Sequence, residues 1–175
     1  MAREPIQTWY FTLVVVHLED RFLLVQERKY EQQWYLPAGR VEKGETLLEA
    51  AMRNTIEEAG ISVIVEGILR IEHTVMPRGN VRLRVIFVAR PQDKTPPKSK
   101  PDEHTLCAGW YSLKELDQLS LRGEEVREMF QYMASGAPIY PIDLLTIEGA
   151  PFKTYRYRWC IHRFGIWDLG FGIWD

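Results

Sequence analysis

Apolar and polar positions follow two different periods along this chain, and the places where one period gives way to the other lay out its elements. Trp9 to His17 and Phe22 to Gln26 are β-branched and aromatic runs separated only by Leu18-Glu19-Asp20-Arg21, which predicts a hairpin. A short strand is expected at Trp34 to Leu36, and Ser62 to His73 returns to strand-type alternation. After the turn Met76-Pro77-Arg78-Gly79-Asn80, Val81 to Ala89 alternates strictly. Val81, Leu83, Val85 and Phe87 take one side; Arg82, Arg84, Ile86 and Val88 take the other, so two exposed arginines are expected. Helical signals begin at Thr46, which forms a capping box with Glu49, and end at Gly60, with neither Gly nor Pro between them. They predict a helix over Leu47 to Ala59. On it Leu48, Met52, Thr55 and Ala59 recur at helical spacing and are expected to pack on a sheet, with Asn54, Glu57 and Glu58 on another face. Pro91 to Pro101 has nothing apolar to bury and reads as a mobile loop or lid. Trp110-Tyr111-Ser112 reads as a short strand and Leu113 to Leu119 as a turn of helix. Gly123 to Ser135 reads as an amphipathic helix through Val126, Met129, Phe130 and Met133. The class is mixed α/β.

Composition narrows this only at the edges. A chain of 175 residues, 46% hydrophobic, suits one domain with a sizeable core. That domain is assigned to residues 1–153, with 154–175 as a tail. A net charge of −2 and a pI near 6.1 argue against an extended nucleic-acid surface but leave room for a small anionic ligand. No apolar run approaches the roughly 20 residues that span a bilayer, and Met1-Ala2-Arg3-Glu4-Pro5 opens no signal-type core, so the expected location is cytoplasmic with no membrane partner. Cys107 and Cys160 have no paired spacing and are expected to be plain thiols. In the tail, Phe164-Gly165-Ile166-Trp167-Asp168 recurs as Phe171-Gly172-Ile173-Trp174-Asp175. A tandem seven-base unit, TTTGGGA, translates with this period, so the tail is expected to be functionless.

The densest chemistry lies between Gly39 and Ile61. Asn54 sits one helical turn below the adjacent carboxylates of Glu57 and Glu58, whose mutual repulsion calls for a cation. Oxygen-only ligands favour Mg²⁺ or Mn²⁺ over zinc. Arg53 lies one turn from both Glu49 and Glu57, which also describes an ordinary surface salt-bridge ladder. The turn Pro37-Ala38-Gly39 and the pair Gly44-Glu45 just upstream are more than such a ladder requires. Elsewhere there is no Gly-x-Ser-x-Gly, His-Glu-x-x-His or P-loop. His17 and His73 read as structural. Trp9, Tyr10 and Phe11 have the chemistry to stack a base, although strand aromatics more commonly serve a core or interface.

In the same segment Gly39, Glu45, Arg53, Glu57, Glu58, Gly60 and Ile61 fall in register with the pattern G-x5-E-x7-R-E-U-x-E-E-x-G-U, where U is bulky and aliphatic. This resembles the Nudix box. Asn54 replaces its glutamate and Thr55 its aliphatic residue, while six exact matches carry a chance probability on the order of 10⁻⁷. The resemblance implies a Nudix-type α/β/α sandwich with a mixed sheet, which hydrolyses a diphosphate linkage in a small nucleoside diphosphate derivative with bound Mg²⁺. It implies Glu57 and Glu58 as metal ligands, Glu45 and Asn54 as further candidates, and Arg53 as an orienting group. The Gly39 region would approach the substrate, Arg82 and Arg84 are phosphate candidates, and Glu103 after the proline-rich loop is a candidate base or ligand. Trp34-Tyr35-Leu36-Pro37-Ala38-Gly39-Arg40 is similar to members that clear oxidised purine nucleotides. Two other readings stand beside it: a nucleotide-binding or regulatory protein impaired by Asn54, and a hydrolase of nucleotide sugars, dinucleoside polyphosphates or an mRNA cap. A homodimer is compatible with each.

Overall fold

The apolar runs at Leu13–Val16 and Val85–Ala89 lie in neighbouring strands of one sheet in the computed structural model, which describes residues 4–151. The chain divides into two units between Leu145 and Thr146, and the fold is that of the first. The repeat-bearing tail expected from the sequence lies outside the described residues.

β1 (Thr8–Leu18) turns directly into β2 (Arg21–Glu27), as the sequence predicts. The two pair only at the turn, through His17↔Phe22 and Leu18↔Arg21, and then part. They part because β4 (Ala38–Arg40), a strand the sequence did not announce, takes the edge of β1 from Phe11 to Leu13. β2 pairs instead with the short β3 (Trp34–Tyr35) and with β7 (Thr105–Tyr111), which begins earlier than the Trp110 expected. On its far edge β1 runs parallel to β6 (Val81–Pro91), from Thr8↔Val81 to Val16↔Ala89. β6 in turn pairs antiparallel with β5 (Val63–Val75). The main path is β3-β2-β1-β6-β5, a mixed sheet.

Helices cover both faces, which explains why the central strands are apolar at every position rather than at every second one. Leu13, Val15, Leu24, Ile86 and Val88 face a core completed by Val126, Met129 and Phe130 of α2 (Glu125–Ala134). Val14, Val16, Leu23, Val25, Val85 and Phe87 face the other core, beneath Ala51 and Ala59 of α1 (Leu47–Ala59). This is the α/β/α sandwich.

α1 has the predicted bounds, the predicted Thr46–Glu49 capping box and a left-handed Gly60 at its end. Its buried face matches the expected stripe at Thr55 and Ala59 but not at Leu48 and Met52. Leu48 and Met52 are 37% and 38% exposed, and the residues against the sheet are Ala50, Ala51, Asn54, Thr55 and Ala59. Small side chains let the helix axis come close to β1 and β4, and the long ones are left outside. The loop after β6 also departs from expectation. It is tethered to α1 by Lys98, whose backbone N–H donates to Ala59 O at 2.8 Å.

Candidate active site

A cavity of about 550 Å³ opens where β1, β2, β4 and β6 meet the C-terminal end of α1. Glu58, Glu27 and Gly39 line it, as do Glu103 and His104. Phe11, Tyr30 and Tyr35 supply aromatic lining, and Arg28, Lys29, Arg40, Arg82, Arg84 and Arg122 add cationic groups.

Arg53 organises the carboxylates of the box. Its Nε donates to Glu45 Oε1 at 2.5 Å and its Nη2 to Glu45 Oε2 at 2.9 Å. It also donates to Glu57 Oε2, Asn54 Oδ1 and the carbonyl of Arg40, each at 3.0 Å. The bidentate grip holds the Glu45 carboxyl down at about 2. Glu58 has the opposite environment. Burial pushes it up to about 8, and the charges of Glu27 and Glu57 push the same way, against one backbone N–H from Ala38 at 2.8 Å and the charge of Lys98.

Asn54 is turned inward, onto the sheet. It is 5% exposed, its Nδ2 donates to Thr12 Oγ1 at 3.1 Å, and its Oδ1 is engaged by Arg53. Its amide packs directly on β4: a Cβ built at Gly39 would lie 2.2 Å from Asn54 Oδ1, a distance no side chain tolerates. The need for glycine at position 39 is therefore set by the helix behind it. The sequence reading put Asn54 with Glu57 and Glu58 on a face other than the apolar stripe. Asn54 and Glu58 do both turn toward β4, where Asn54 packs on Gly39 and Glu58 accepts from Ala38 N–H, but Asn54 is buried against the sheet and Glu57 turns away to Arg53.

The expectation of two exposed arginines on β6 is corrected. Arg84 is 14% exposed in its side chain and donates to Glu72 Oε2 at 2.6 Å and Glu125 Oε2 at 2.9 Å. Tyr35 donates its hydroxyl to the other oxygen of Glu125, so this cluster ties β3, β5, β6 and α2 together. Arg82 is the freer of the two. Its Nε is buried at the cavity without a partner. Glu103 stands 86% exposed, 3.4 Å from His104.

Sequence reasoning missed Glu27. It sits at a register shift at the end of β2, paired with Arg122 at 2.7 Å, with Oε2 buried and unpartnered. Burial raises its carboxyl. Nothing in Gln26-Glu27-Arg28 separates it from a solvated strand end, because the signal is the bulge and the burial. Tyr30 and Arg122 were missed for the same reason: Arg122 stacks over Tyr30 at 4.0 Å across a distance of ninety residues that no local pattern spans.

The donor set fits a divalent cation. A buried carboxyl flanked by two like charges, with an unpartnered carboxylate oxygen in the same cavity, has the field that a hard cation relieves. Among the described residues no three acidic, histidine or cysteine groups converge tightly enough to enclose a metal by themselves. Water and substrate oxygens would therefore complete the shell, as is usual for Mg²⁺. No helix of the described residues is long and apolar enough to cross a membrane.

Comparison with known proteins agrees with this geometry. Residues 10–133 match the NUDIX domain. Human 8-oxo-dGDP phosphatase NUDT18 is 39% identical over 119 residues, which cover 66% of this chain and 35% of that protein. Phosphatase NudJ of Escherichia coli K12 is 35% identical over 140 residues, covering 79% of this chain and 90% of that one. The chain thus spans about a third of the NUDT18 relatives and nearly all of NudJ. A NUDIX hydrolase structure from Nitrosomonas europaea superimposes with a TM-score of 0.68 at 27% identity, over 81% of this chain and 97% of that one. Match, relatives and fold coincide on the segment that builds the cavity, and the chain belongs to the Nudix family.

Proposed function

We propose that this protein hydrolyses the diphosphate linkage of nucleoside diphosphate derivatives, with oxidised purine nucleotides as the leading substrate class. The observation that carries the reading is the single cavity lined by carboxylate, aromatic and cationic side chains together. Glu58 brings the carboxylate helix to a cavity that aromatic and cationic side chains also line, so a diphosphate would meet phosphate-binding groups there with its base against the aromatic residues. Similarity to a relative named 8-oxo-dGDP phosphatase supports the substrate class.

Nudix hydrolases use divalent metal ions, and we assign Mg²⁺ here, with Mn²⁺ as the substitute. Glu57 and Glu58 would hold it, with Glu45 alongside, and it would neutralise charge on the diphosphate. Arg53 keeps Glu45 and Glu57 oriented. Arg82 offers its unpartnered Nε to phosphate oxygens. Glu103 of the cavity lining is the base candidate, since Asn54 as an amide accepts no proton at neutral pH. We place the protein in the cytoplasm, where the unpaired Cys107 thiol persists, and leave its assembly to sizing experiments.

A release assay over 8-oxo-dGDP, dGDP, a nucleotide sugar, a dinucleoside polyphosphate and a cap analogue tests the reading, each with Mg²⁺ and with Mn²⁺. Expected is turnover of 8-oxo-dGDP with kcat/KM at least about tenfold above dGDP. Binding without turnover on any compound would instead favour the impaired, nucleotide-binding reading. Asn54, with its oxygen engaged by Arg53, is the residue that motivates that alternative.

A further inference from the structure

The last turn of an α-helix leaves its final carbonyls without intrahelical partners. In α1 three of them, those of Glu57, Glu58 and Ala59, belong to the part of the helix that brings Glu58 to the site, and Lys98 of the loop after β6 together with Thr105 at the start of β7 takes up all three. Lys98 Nζ donates to Glu57 O at 2.5 Å, Thr105 Oγ1 to Glu58 O at 2.6 Å, and Lys98 N to Ala59 O at 2.8 Å. The same ammonium reaches Asp102 Oδ2 at 2.6 Å. Asp102 Oδ1 in turn accepts the backbone N–H groups of His104 and Thr105 at 2.9 and 3.1 Å, so one carboxylate fixes the turn that carries Glu103. The lysine side chain is only 13% exposed, and it does not line the cavity. A cation withdrawn this far from water is costly unless its donors are used, and here they bridge a helix end to a turn.

We propose that Lys98 is a positioning residue for diphosphate hydrolysis. It locks the turn bearing Glu103 to the end of α1 bearing Glu57 and Glu58, and so sets the spacing of acidic groups across the cavity. The proposal rests on the hydrolase reading above, and it extends that reading to a residue that touches neither metal nor substrate. Gly60 belongs to the same device: its left-handed backbone lets Lys98 Cβ approach to 3.4 Å of where a side chain would begin.

The test uses the full chain with Lys98→Met, which keeps the stem and removes the charge, and Lys98→Arg, which keeps the charge. Two measurements are made on each: native-state amide exchange, and kcat and KM on the best diphosphate of the substrate panel. In Lys98→Met, exchange should accelerate at least about tenfold at Lys98, His104 and Thr105, while β1 and β6 keep their protection. Turnover should fall about tenfold or more in kcat with KM within about threefold, Lys98→Arg should recover most of both, and Glu103→Gln should slow Lys98→Met less than it slows wild type. Unaltered exchange in the loop overturns the proposal. So does acceleration spread equally through the core, which marks a lysine that merely stabilises the fold, and so does an effect of Glu103→Gln that multiplies fully with that of Lys98→Met. If wild type turns over no diphosphate at all, the hydrolase reading fails, and Lys98 loses its catalytic role whatever its exchange pattern shows about the lock.

Discussion

Glu57 and Glu58 are neighbours in sequence and opposites in environment. Glu57 shares Arg53 with Glu45, whereas Glu58 is withdrawn beneath Ala38 with one backbone N–H as compensation. Replacing either with Gln should weaken activation by Mg²⁺ and cut kcat at least about tenfold, read by titrating metal against turnover. Their effects on the cation-free protein should differ in sign. Above about pH 8, where the buried Glu58 carboxyl ionises, Glu58→Gln removes a charge from a desolvated site and should raise the melting temperature in chelator; Glu57→Gln gives up an ion pair and should not. Arg84 and Arg82, two positions apart on β6, separate in the same way. With Glu72 and Glu125 both depending on it, Arg84→Ala should destabilise the protein by roughly 2 kcal/mol in denaturant unfolding. Arg82→Ala should leave stability nearly unchanged and raise KM. At this scale the residue types of the site were legible in the sequence, but not which of them were already committed to partners. An arginine on an alternating strand looks the same whether two carboxylates or a substrate awaits it.

Among the elements, α1 was legible in its ends and only half legible in its buried face, where Thr55 and Ala59 pack as expected and Leu48 and Met52 do not. Capping boxes and C-terminal glycines act through neighbours three or four residues away, so Thr46, Glu49 and Gly60 settled the bounds locally. The choice of Ala50, Ala51 and Asn54 over Leu48 and Met52 depends on how closely β4 and β1 approach, which no helical period contains. α2 was legible on its apolar side, and its docking has an electrostatic part that periodicity does not show. The Arg84 hydrogen bond, assisted by Tyr35 and Arg122, holds the Glu125 carboxyl below the ordinary carboxylate range. A carboxyl depressed in the folded state contributes stability above its unfolded pKa of about 4.3 and loses that contribution as pH falls through the folded value. Wild type should therefore lose more stability between about pH 5 and pH 3 than Glu125→Gln, measured by urea unfolding at each pH.

On the scale of the whole molecule, a cation that binds only the folded state must stabilise it. At a hundredfold excess over Kd, Mg²⁺ should add about 2.7 kcal/mol, seen as a concentration-dependent rise in Tm. The rise should vanish in the Glu57→Gln, Glu58→Gln double variant, and its persistence there would put the cation elsewhere. By itself the sequence determined what depends on short separations: the hairpin, the caps of the carboxylate helix, the class of the fold and the identity of the box from Gly39 to Ile61. Tertiary structure alone decided what depends on long ones. Glu27 enters the site through a bulge in β2, Asn54 turns inward because glycine at position 39 leaves it room, and Lys98 reaches back 41 residues to the carbonyl of Glu57. The physical reason is the same in all three cases: a charge or an amide takes its character from its solvation and its partners, and these are supplied by strands and loops far away along the chain.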